Sequence, residues 1–335
     1  MKLPQQFLLA TLVPAIFSVP AMLNAEKIVD VGNTFKCYFI DEGETGRSDT
    51  AAQLKITASS ATWTSEQIRA ATSALTTWDN LIGNTPGRTL TVGLYWENIS
   101  GNTLAYAGSS YFYYDTPGLQ KVSTFAEDIW KNGLIRADNE TSYDIYIVCN
   151  SEQTNFYFGE VPFTGGSSTG KWDFQSVLTH EIGHGLGFLS MTTSSGTFQT
   201  VQDSAGNSTT LYTAFDELMT DESGTKLIDK AKADPSAVVF TAGEKILLEG
   251  TNLTVYNPTP WAEGSSMAHV DSVSDPDALM QYSLPNDISR RSLTEAEIGL
   301  MRQMGWLMIP EPSFFGLLAG TLALVLAGTR RRRNA

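Results

Sequence analysis

The chain of 335 residues is rich enough in apolar side chains to fold around a core, since 42% of it is hydrophobic and only 17% is charged. Its formal net charge is −14, and the positive charges Lys2 and Arg330–Arg333 lie at the two ends, so the body between them is more acidic still. An acidic body repels nucleic acid and anionic membranes, and nucleic acid is therefore excluded as a partner.

The N-terminal segment, residues 1–25, has the composition of a secretory signal peptide. Lys2 is followed by an apolar stretch at residues 7–19 and by the small residues Ala21 and Ala25 at candidate cleavage positions. The segment is too short, and its flanks are wrong, for a lasting transmembrane anchor. We therefore expect export through the inner membrane, with the mature chain beginning after one of the two alanines.

The chain contains two cysteines, Cys37 and Cys149, which are not spaced as a C-x-x-C pair. A zinc knuckle and a thioredoxin-like site are therefore not indicated. In an exported protein the two residues are compatible with one disulfide and equally with two buried thiols. The sequence leaves these two alternatives open.

Several elements precede the centre of the chain. The small, polar residues 50–60 suggest a strand or the approach to one. A helix follows, because Thr64 and Gln67 have the spacing of a capping box and apolar residues then recur at helical spacing. The apolar face of this helix consists of Ile68, Ala71, Leu75, Trp78 and Ile82. Three later stretches are β-prone and are predicted strands: residues 89–96, 104–114 and 143–148.

The central helix carries the pattern H-E-x-x-H. Asp173 is its predicted N-cap, and the glycines that follow the second histidine break it. His180 and His184 lie one turn apart on the same helix face, so both imidazoles can reach one metal ion. In this pattern the two histidines bind zinc, and the glutamate beside the first of them, Glu181, is the general base.

A catalytic zinc site needs a third protein ligand and an open position for water. The metzincin pattern H-E-x-x-H-x-x-G-x-x-H keeps its glycine here as Gly187, but Ser190 stands where its last histidine would be. His269 is one replacement, since it is the remaining histidine of the chain and three neutral imidazoles suit zinc. Glu217 is the other, because it begins an E-x-x-x-D pattern that thermolysin-like enzymes carry downstream of H-E-x-x-H. We favour His269, because a short acidic pattern arises easily in an acidic chain.

Two further features lie between the candidate third ligand and residue 306. Residues 277–282 look like a Met-turn, the tight turn whose methionine, here Met280, packs beneath the metal in metzincins. The body then closes with a helix, because Thr294 and Glu297 have the spacing of a capping box and Gly305 is a natural stop.

Together these motifs resemble the leishmanolysin branch of the metzincins, in which an inserted segment separates the third histidine from the helix. The resemblance covers roughly residues 171–306. It implies an α+β, metzincin-like (zincin) fold: a twisted mixed sheet with the active-site helix, and a C-terminal subdomain that carries the Met-turn and a terminal helix. By position it implies zinc ligands at His180, His184 and His269, the base at Glu181 and the Met-turn residue at Met280.

Two smaller assignments follow the Met-turn. Tyr282 lies two residues after Met280, where astacin-like and serralysin-like metzincins carry a tyrosine near the metal. The resemblance assigns it to oxyanion stabilisation, and a packing tyrosine is the alternative. Three nearby acidic residues are candidate calcium ligands: Asp271, Asp275 and Asp277. The alternative is that they form a solvated acidic loop.

The last segment, residues 310–335, has three parts in order: a Pro-Glu-Pro motif, an apolar run at 314–328 and four arginines. The run is short against the roughly 20 residues that span a bilayer comfortably, and the arginines favour a cytoplasmic C-terminus. This arrangement closely resembles the PEP-CTERM sorting signal of Gram-negative bacteria. The resemblance implies a transient membrane anchor, removal of the tail by an exosortase-type enzyme, and delivery to the cell envelope or outside the cell. A simple tail anchor is the alternative.

The predicted organisation is a signal peptide at 1–25, a metallopeptidase domain at 26–309 and a sorting segment at 310–335. The domain is expected to have an upper part, an insertion and a lower part, at about 26–189, 190–262 and 263–309. The predicted activity is cleavage of protein or peptide substrates by a monomeric zinc endopeptidase, with a zinc-activated water and Glu181 as base. The alternative is an inactive matrix or adhesion protein that retains the metzincin fold.

Overall fold

A computed structural model describes residues 27–54, 61–82, 87–112, 118–135, 141–164, 168–202 and 206–306. The predicted signal peptide and the predicted sorting segment, with its apolar run, lie outside these ranges. Within them, no helix combines the length and the apolar character needed to cross a membrane.

The described part of the chain is mixed α+β. Its six helices are α1 (Ser48–Leu54), α2 (Ser65–Ile82), α3 (Phe125–Asn132), α4 (Phe174–Gly185), α5 (Leu227–Ala233) and α6 (Glu295–Gln303). Its first eight strands are β1 (Lys27–Val31), β2 (Phe35–Phe39), β3 (Leu90–Glu97), β4 (Ala105–Gly108), β5 (Tyr111–Phe112), β6 (Gly118–Lys121), β7 (Ser123–Thr124) and β8 (Ile145–Asn150). The others are β9 (Phe156–Tyr157), β10 (Trp172–Asp173), β11 (Thr200–Gln202), β12 (Ser208–Tyr212), β13 (Met219–Thr220), β14 (Ile246–Leu248) and β15 (Thr254–Val255).

The main sheet has five strands in the order β1-β2-β3-β8-β4. β2, β3 and β8 run parallel to one another, whereas β1 and β4 are antiparallel edge strands. The central strands β3 and β8 are buried almost continuously, as expected for parallel strands covered on both faces. On one face α2 and α4 pack against each other and against the sheet, and a smaller cluster that includes Tyr95 and Tyr143 covers the other face.

Helix α2 confirms its predicted cap and apolar face. The Thr64 N–H donates to the Gln67 side chain at 2.8 Å, and the Gln67 N–H donates back to the Thr64 hydroxyl at 3.3 Å. Trp78 is fully buried, and its indole N–H donates to the carbonyl of Thr179 at 2.8 Å. Because Thr179 lies on α4, this bond fixes α4 against α2 and hence against the sheet.

The predicted strands at 89–96 and 143–148 correspond to β3 and β8, and the stretch 104–114 contains two short strands, β4 and β5. The prediction of a strand or its approach at residues 50–60 was wrong for residues 50–54, which belong to helix α1, and residues 55–60 lie outside the described ranges. A tertiary contact holds this helix. The hydroxyl of Thr50, which is buried, accepts the backbone N–H of Tyr143 at 2.9 Å.

The two cysteines are buried thiols, so the disulfide alternative is wrong. Cys37 lies on β2 opposite Val92, and Cys149 lies on β8 opposite Trp96. β3 therefore separates them, and their positions along it differ by four residues, or roughly 13 Å. A disulfide requires Cα atoms within about 7 Å.

The first residue before α4 ties the helix to the C-terminal part of the chain. The buried carboxylate of Asp173 accepts the Ser176 N–H at 2.9 Å as the predicted N-cap. It also accepts the Arg291 guanidinium, at 2.7 Å from Nη2, and the hydroxyl of Ser289. The backbone carbonyls of Glu160 and Gly159 accept two further guanidinium N–H groups. This buried pair sets where α4 begins.

The segment that follows α4 is anchored by a second buried carboxylate. Asp216 accepts the Ser190 hydroxyl at 2.6 Å, the Met191 N–H at 3.0 Å and the Thr213 N–H at 2.8 Å. Beyond it, β11 and β12 join β6 in a mixed sheet, and β13, β14 and β15 form an antiparallel one. Ser190, at the position of the missing metzincin histidine, therefore has a structural partner.

We predict that Asp173→Ala lowers the free energy of unfolding by about 3 kcal/mol or more, because it removes the cap and leaves a buried guanidinium without its carboxylate. Asp173→Asn keeps an acceptor for the Ser176 N–H and should lose less. Urea unfolding followed by circular dichroism measures both variants. Equal losses, or a loss within the error of the wild type, would contradict this role.

Candidate metal centre

Helix α4 carries His180 and His184 and ends directly after them, at Gly185. The chain leaves the helix through Gly187, whose φ of +101° is a backbone conformation that favours glycine. A Cβ at this position would also lie 2.9 Å from the carboxyl carbon of Glu127. The reversal brings the carbonyl of Phe188 back to His184, where it accepts the ring Nδ1–H at 2.6 Å.

The third histidine, His269, lies on a separate segment between β15 and the predicted Met-turn. The backbone N–H of Tyr256 donates to the carbonyl of His269 at 2.8 Å, and the Met267 N–H donates to the carbonyl of Tyr256 at 2.8 Å. On the other side, the Val270 N–H donates to the carbonyl of Met280 at 2.8 Å. His269 is therefore held between the chain after β15 and the predicted Met-turn.

The three imidazoles converge on one point. The Nε2 atom of His184 lies 3.0 Å from that of His180 and 3.1 Å from that of His269. One possible ligand atom from each ring lies within 4.8 Å of the others. Tetrahedral zinc with Zn–N bonds of about 2.0–2.1 Å implies N–N separations of roughly 3.3 Å, close to these values.

The other nitrogen of each ring fixes which tautomer is present. The Nδ1 atoms of His180, His184 and His269 lie 2.9, 2.6 and 2.8 Å from the carbonyl oxygens of Leu279, Phe188 and Ser265. A carbonyl oxygen only accepts, so each Nδ1 carries the proton and each Nε2 carries a lone pair. Three lone pairs then face one another, an arrangement that repels unless a cation lies between them. The donor set therefore fits a bound metal ion.

The electrostatics of the site favour neutral rings. Desolvation lowers the pKa of His180 to about 3 and that of His184 to about 4. For His180 the neighbouring His184 adds to the effect. Desolvation, followed by the two neighbouring rings, also places the pKa of His269 well below its usual value. Neutral imidazole is the form that binds metal.

Glu181 is buried in the wall of the same cleft. Desolvation raises the pKa of its carboxyl to about 8, and a hydrogen bond from the backbone of Ala107 on β4 opposes this rise. A divalent cation on the three histidines would also oppose it, because a nearby positive charge favours the carboxylate. The predicted base thus lies between α4 and the edge strand of the sheet.

Met280 packs beneath α4, as a Met-turn residue is expected to. Its side chain is fully buried, and a Cβ on Gly183 would lie only 2.6 Å from its sulfur. Gly183 lies between the two helical histidines in sequence, so the thioether supports the turn of the helix that carries both of them. The close approach explains why this helical position is a glycine.

The site opens into a cleft of about 1000 Å³. Ala105, Tyr106 and Ala107 of β4 line one side of it, and Glu263 with Ser265 lines another. Tyr282 also lines the cleft; it is 42% exposed and stacks on Tyr256, with ring centroids 3.8 Å apart and an 8° angle between the ring planes. No sequence pattern pointed to Tyr256, because only tertiary contact brings it against Tyr282.

The rival third ligand and the candidate calcium residues lie elsewhere. The Glu217 side chain is 39% exposed and pairs with Lys121 at 2.6 Å. Asp271 and Asp275 accept the backbone N–H groups of Val273 and Asp277 in their own turns. In the part of the chain that the structure describes, the three histidines form the one group of three or more side chains placed to hold a metal.

No protein-family model matches the chain, and searches of curated proteins and of solved structures found no match to it.

We predict that His269→Ala abolishes tight zinc binding, because two imidazoles then remain of the three that converge. Glu217→Ala is the matched control and should retain about one zinc per chain. Metal content after dialysis, measured by atomic absorption, distinguishes the two variants. Zinc that is kept by His269→Ala and lost by Glu217→Ala would reverse the choice of third ligand.

Proposed function

We propose that the protein is a zinc-dependent endopeptidase of metzincin type. The observation that carries the proposal is the convergence of three Nε2 lone pairs beside a buried glutamate, in a cleft bordered by a sheet edge. A protein that only adhered to a matrix would need no carboxylate at Glu181. The mixed sheet with its antiparallel edge strand, the helix above the cleft and Met280 below agree with a metzincin architecture.

The residues that would hold the zinc are His180, His184 and His269, with the remaining positions left to water and substrate. Zinc bound there would polarise the scissile carbonyl and acidify the attacking water. The three backbone carbonyls that accept the Nδ1–H groups keep each ring oriented and make it a better ligand.

Glu181 acts as the general base. Its carboxylate accepts a proton from the attacking water and returns it to the leaving amine nitrogen. Burial beside β4 keeps bulk water from competing for this carboxylate. Tyr282 is proposed to donate its phenolic hydroxyl to the developing oxyanion, since its ring lines the cleft and the stack on Tyr256 restricts its motion.

The substrate backbone is proposed to lie along β4. Among the described residues this strand pairs only with β8, and its residues line the cleft on the other side. An extended peptide can add to such an edge by main-chain hydrogen bonds. The small side chains of Ala105 and Ala107, which line the cleft, leave room for that backbone to approach.

The two ends of the chain complete the proposal. A signal peptide at residues 1–25 would direct export through the inner membrane. The PEP-CTERM-like segment at 310–335 would anchor the protein transiently, until an exosortase-type enzyme removes the tail and the monomeric enzyme reaches the envelope or the exterior.

We predict that Glu181→Gln retains zinc but lowers the rate of casein digestion by at least about 100-fold, because a neutral amide cannot accept the water proton. Glu263→Gln changes another cleft-lining carboxylate and is the matched control, which should keep most of the activity. Digestion of labelled casein and the zinc content of each variant are the measurements. Full activity of Glu181→Gln would overturn the mechanism.

A further inference from the structure

One carboxylate of helix α6, that of Glu297, is connected by hydrogen bonds to the loop that contacts His180. Glu297 is fully buried, and its Oε2 atom accepts the Thr294 N–H at 2.8 Å in the predicted capping box. The same carboxylate accepts two backbone donors from a loop 17–18 residues earlier. These are the Met280 N–H, at 2.7 Å from Oε1, and the Leu279 N–H, at 3.1 Å from Oε2. A capping box requires neither of the last two bonds.

These bonds connect Glu297 to a metal-facing histidine through a single peptide unit. The Met280 N–H and the Leu279 carbonyl belong to the same peptide group. The N–H of that group donates to Glu297, and its carbonyl accepts the Nδ1–H of His180 at 2.9 Å. A carboxylate at one end of a peptide polarises it, so the carbonyl at the other end becomes a stronger acceptor.

The other two histidines lack this connection. The peptide group whose carbonyl accepts from His184 directs its own N–H, that of Leu189, to the carbonyl of Gly187. The peptide group that serves His269 likewise directs the Ser266 N–H to a backbone carbonyl. Of the three rings, His180 is thus the one whose partner peptide ends on a charged group.

Arg290 supports the same loop from outside. Its guanidinium donates to the carbonyls of Pro276 and Ser283, at 2.9 and 3.3 Å, and so joins the two ends of the Met-turn. Glu297 then fixes the middle of the turn. The turn that carries Met280 is therefore held at three points, and its middle contacts the metal-facing ring.

We propose that Glu297 is a positioning residue of the metal centre, which orients His180 and increases its basicity through the Leu279–Met280 peptide. The proposal rests on the proposed metal binding by the three histidines. A stronger acceptor at Nδ1 places more electron density on Nε2, which binds a cation more tightly. Glu297 touches neither metal nor substrate, so its influence passes entirely through this peptide and the turn.

The test separates this role from helix capping. Glu297→Gln replaces one carboxylate oxygen by an amide donor. It therefore cannot accept both the Met280 N–H, which bonds to Oε1, and the Leu279 and Thr294 N–H groups, which share Oε2. Thr294→Ala is the matched control, because it removes the capping hydroxyl and leaves both Met-turn bonds in place. Both variants are expected to lose thermal stability. Only Glu297→Gln should weaken Co²⁺ and Zn²⁺ binding, by about 10- to 100-fold, and shift the visible absorption of the Co²⁺ form.

Affinity is measured by competition with a chromophoric chelator, and the Co²⁺ spectrum reports the geometry of the ligands. If Glu297→Gln does not fold, Glu297→Asp keeps the charge on a shorter arm and supplies the same readouts. Wild-type affinity and spectrum in the folded variant, or an equal loss in Thr294→Ala, would overturn the proposal. A wild-type protein that binds neither metal would instead overturn the proposed function.

Discussion

Three unprotonated imidazole nitrogens, held 3.0–3.1 Å apart in two of their pairs, are the constraint on which the rest of the structure depends. Such an arrangement is unfavourable without a shared cation. The fold imposes it in two steps. Helix α4 places His180 and His184 one turn apart, and the chain after β15 presents His269 across the cleft. Backbone carbonyls then hold every Nδ1–H, so none of the rings can rotate its lone pair away.

Around this centre, three buried carboxylates hold backbone segments in place by accepting hydrogen bonds. Asp173 fixes the start of α4, Asp216 fixes the segment that leaves it, and Glu297 fixes the Met-turn. Asp216 and Glu297 each accept two or more backbone N–H groups, which need partners where they are buried. Asp173 accepts one backbone N–H together with side-chain donors. A loop-rich region can therefore hold side chains in defined places. The convergence of the three imidazoles therefore depends on distant parts of the chain as well as on helix α4.

Features of the fold and the site that depend on residues close in sequence could be predicted from the sequence, and those that depend on distant residues could for the most part not. The caps of α2, α4 and α6 and the i, i+4 histidines are local patterns, and the structure contains them as predicted. His269 could be named because one histidine remained after the helix was assigned. The strands β1 and β2 gave no clear pattern. The second role of Glu297 was hidden as well, because its Met-turn partners are distant in sequence and a capping box already accounted for the residue.

X-ray absorption at the zinc edge of the purified, zinc-loaded protein tests the central claim most directly. It counts the imidazoles around the metal by their multiple-scattering signal and measures the bond lengths. We expect three imidazoles at about 2.0–2.1 Å and an additional oxygen donor. A shell with two imidazoles and a carboxylate, or a protein that takes up no zinc, would contradict a centre built from His180, His184 and His269.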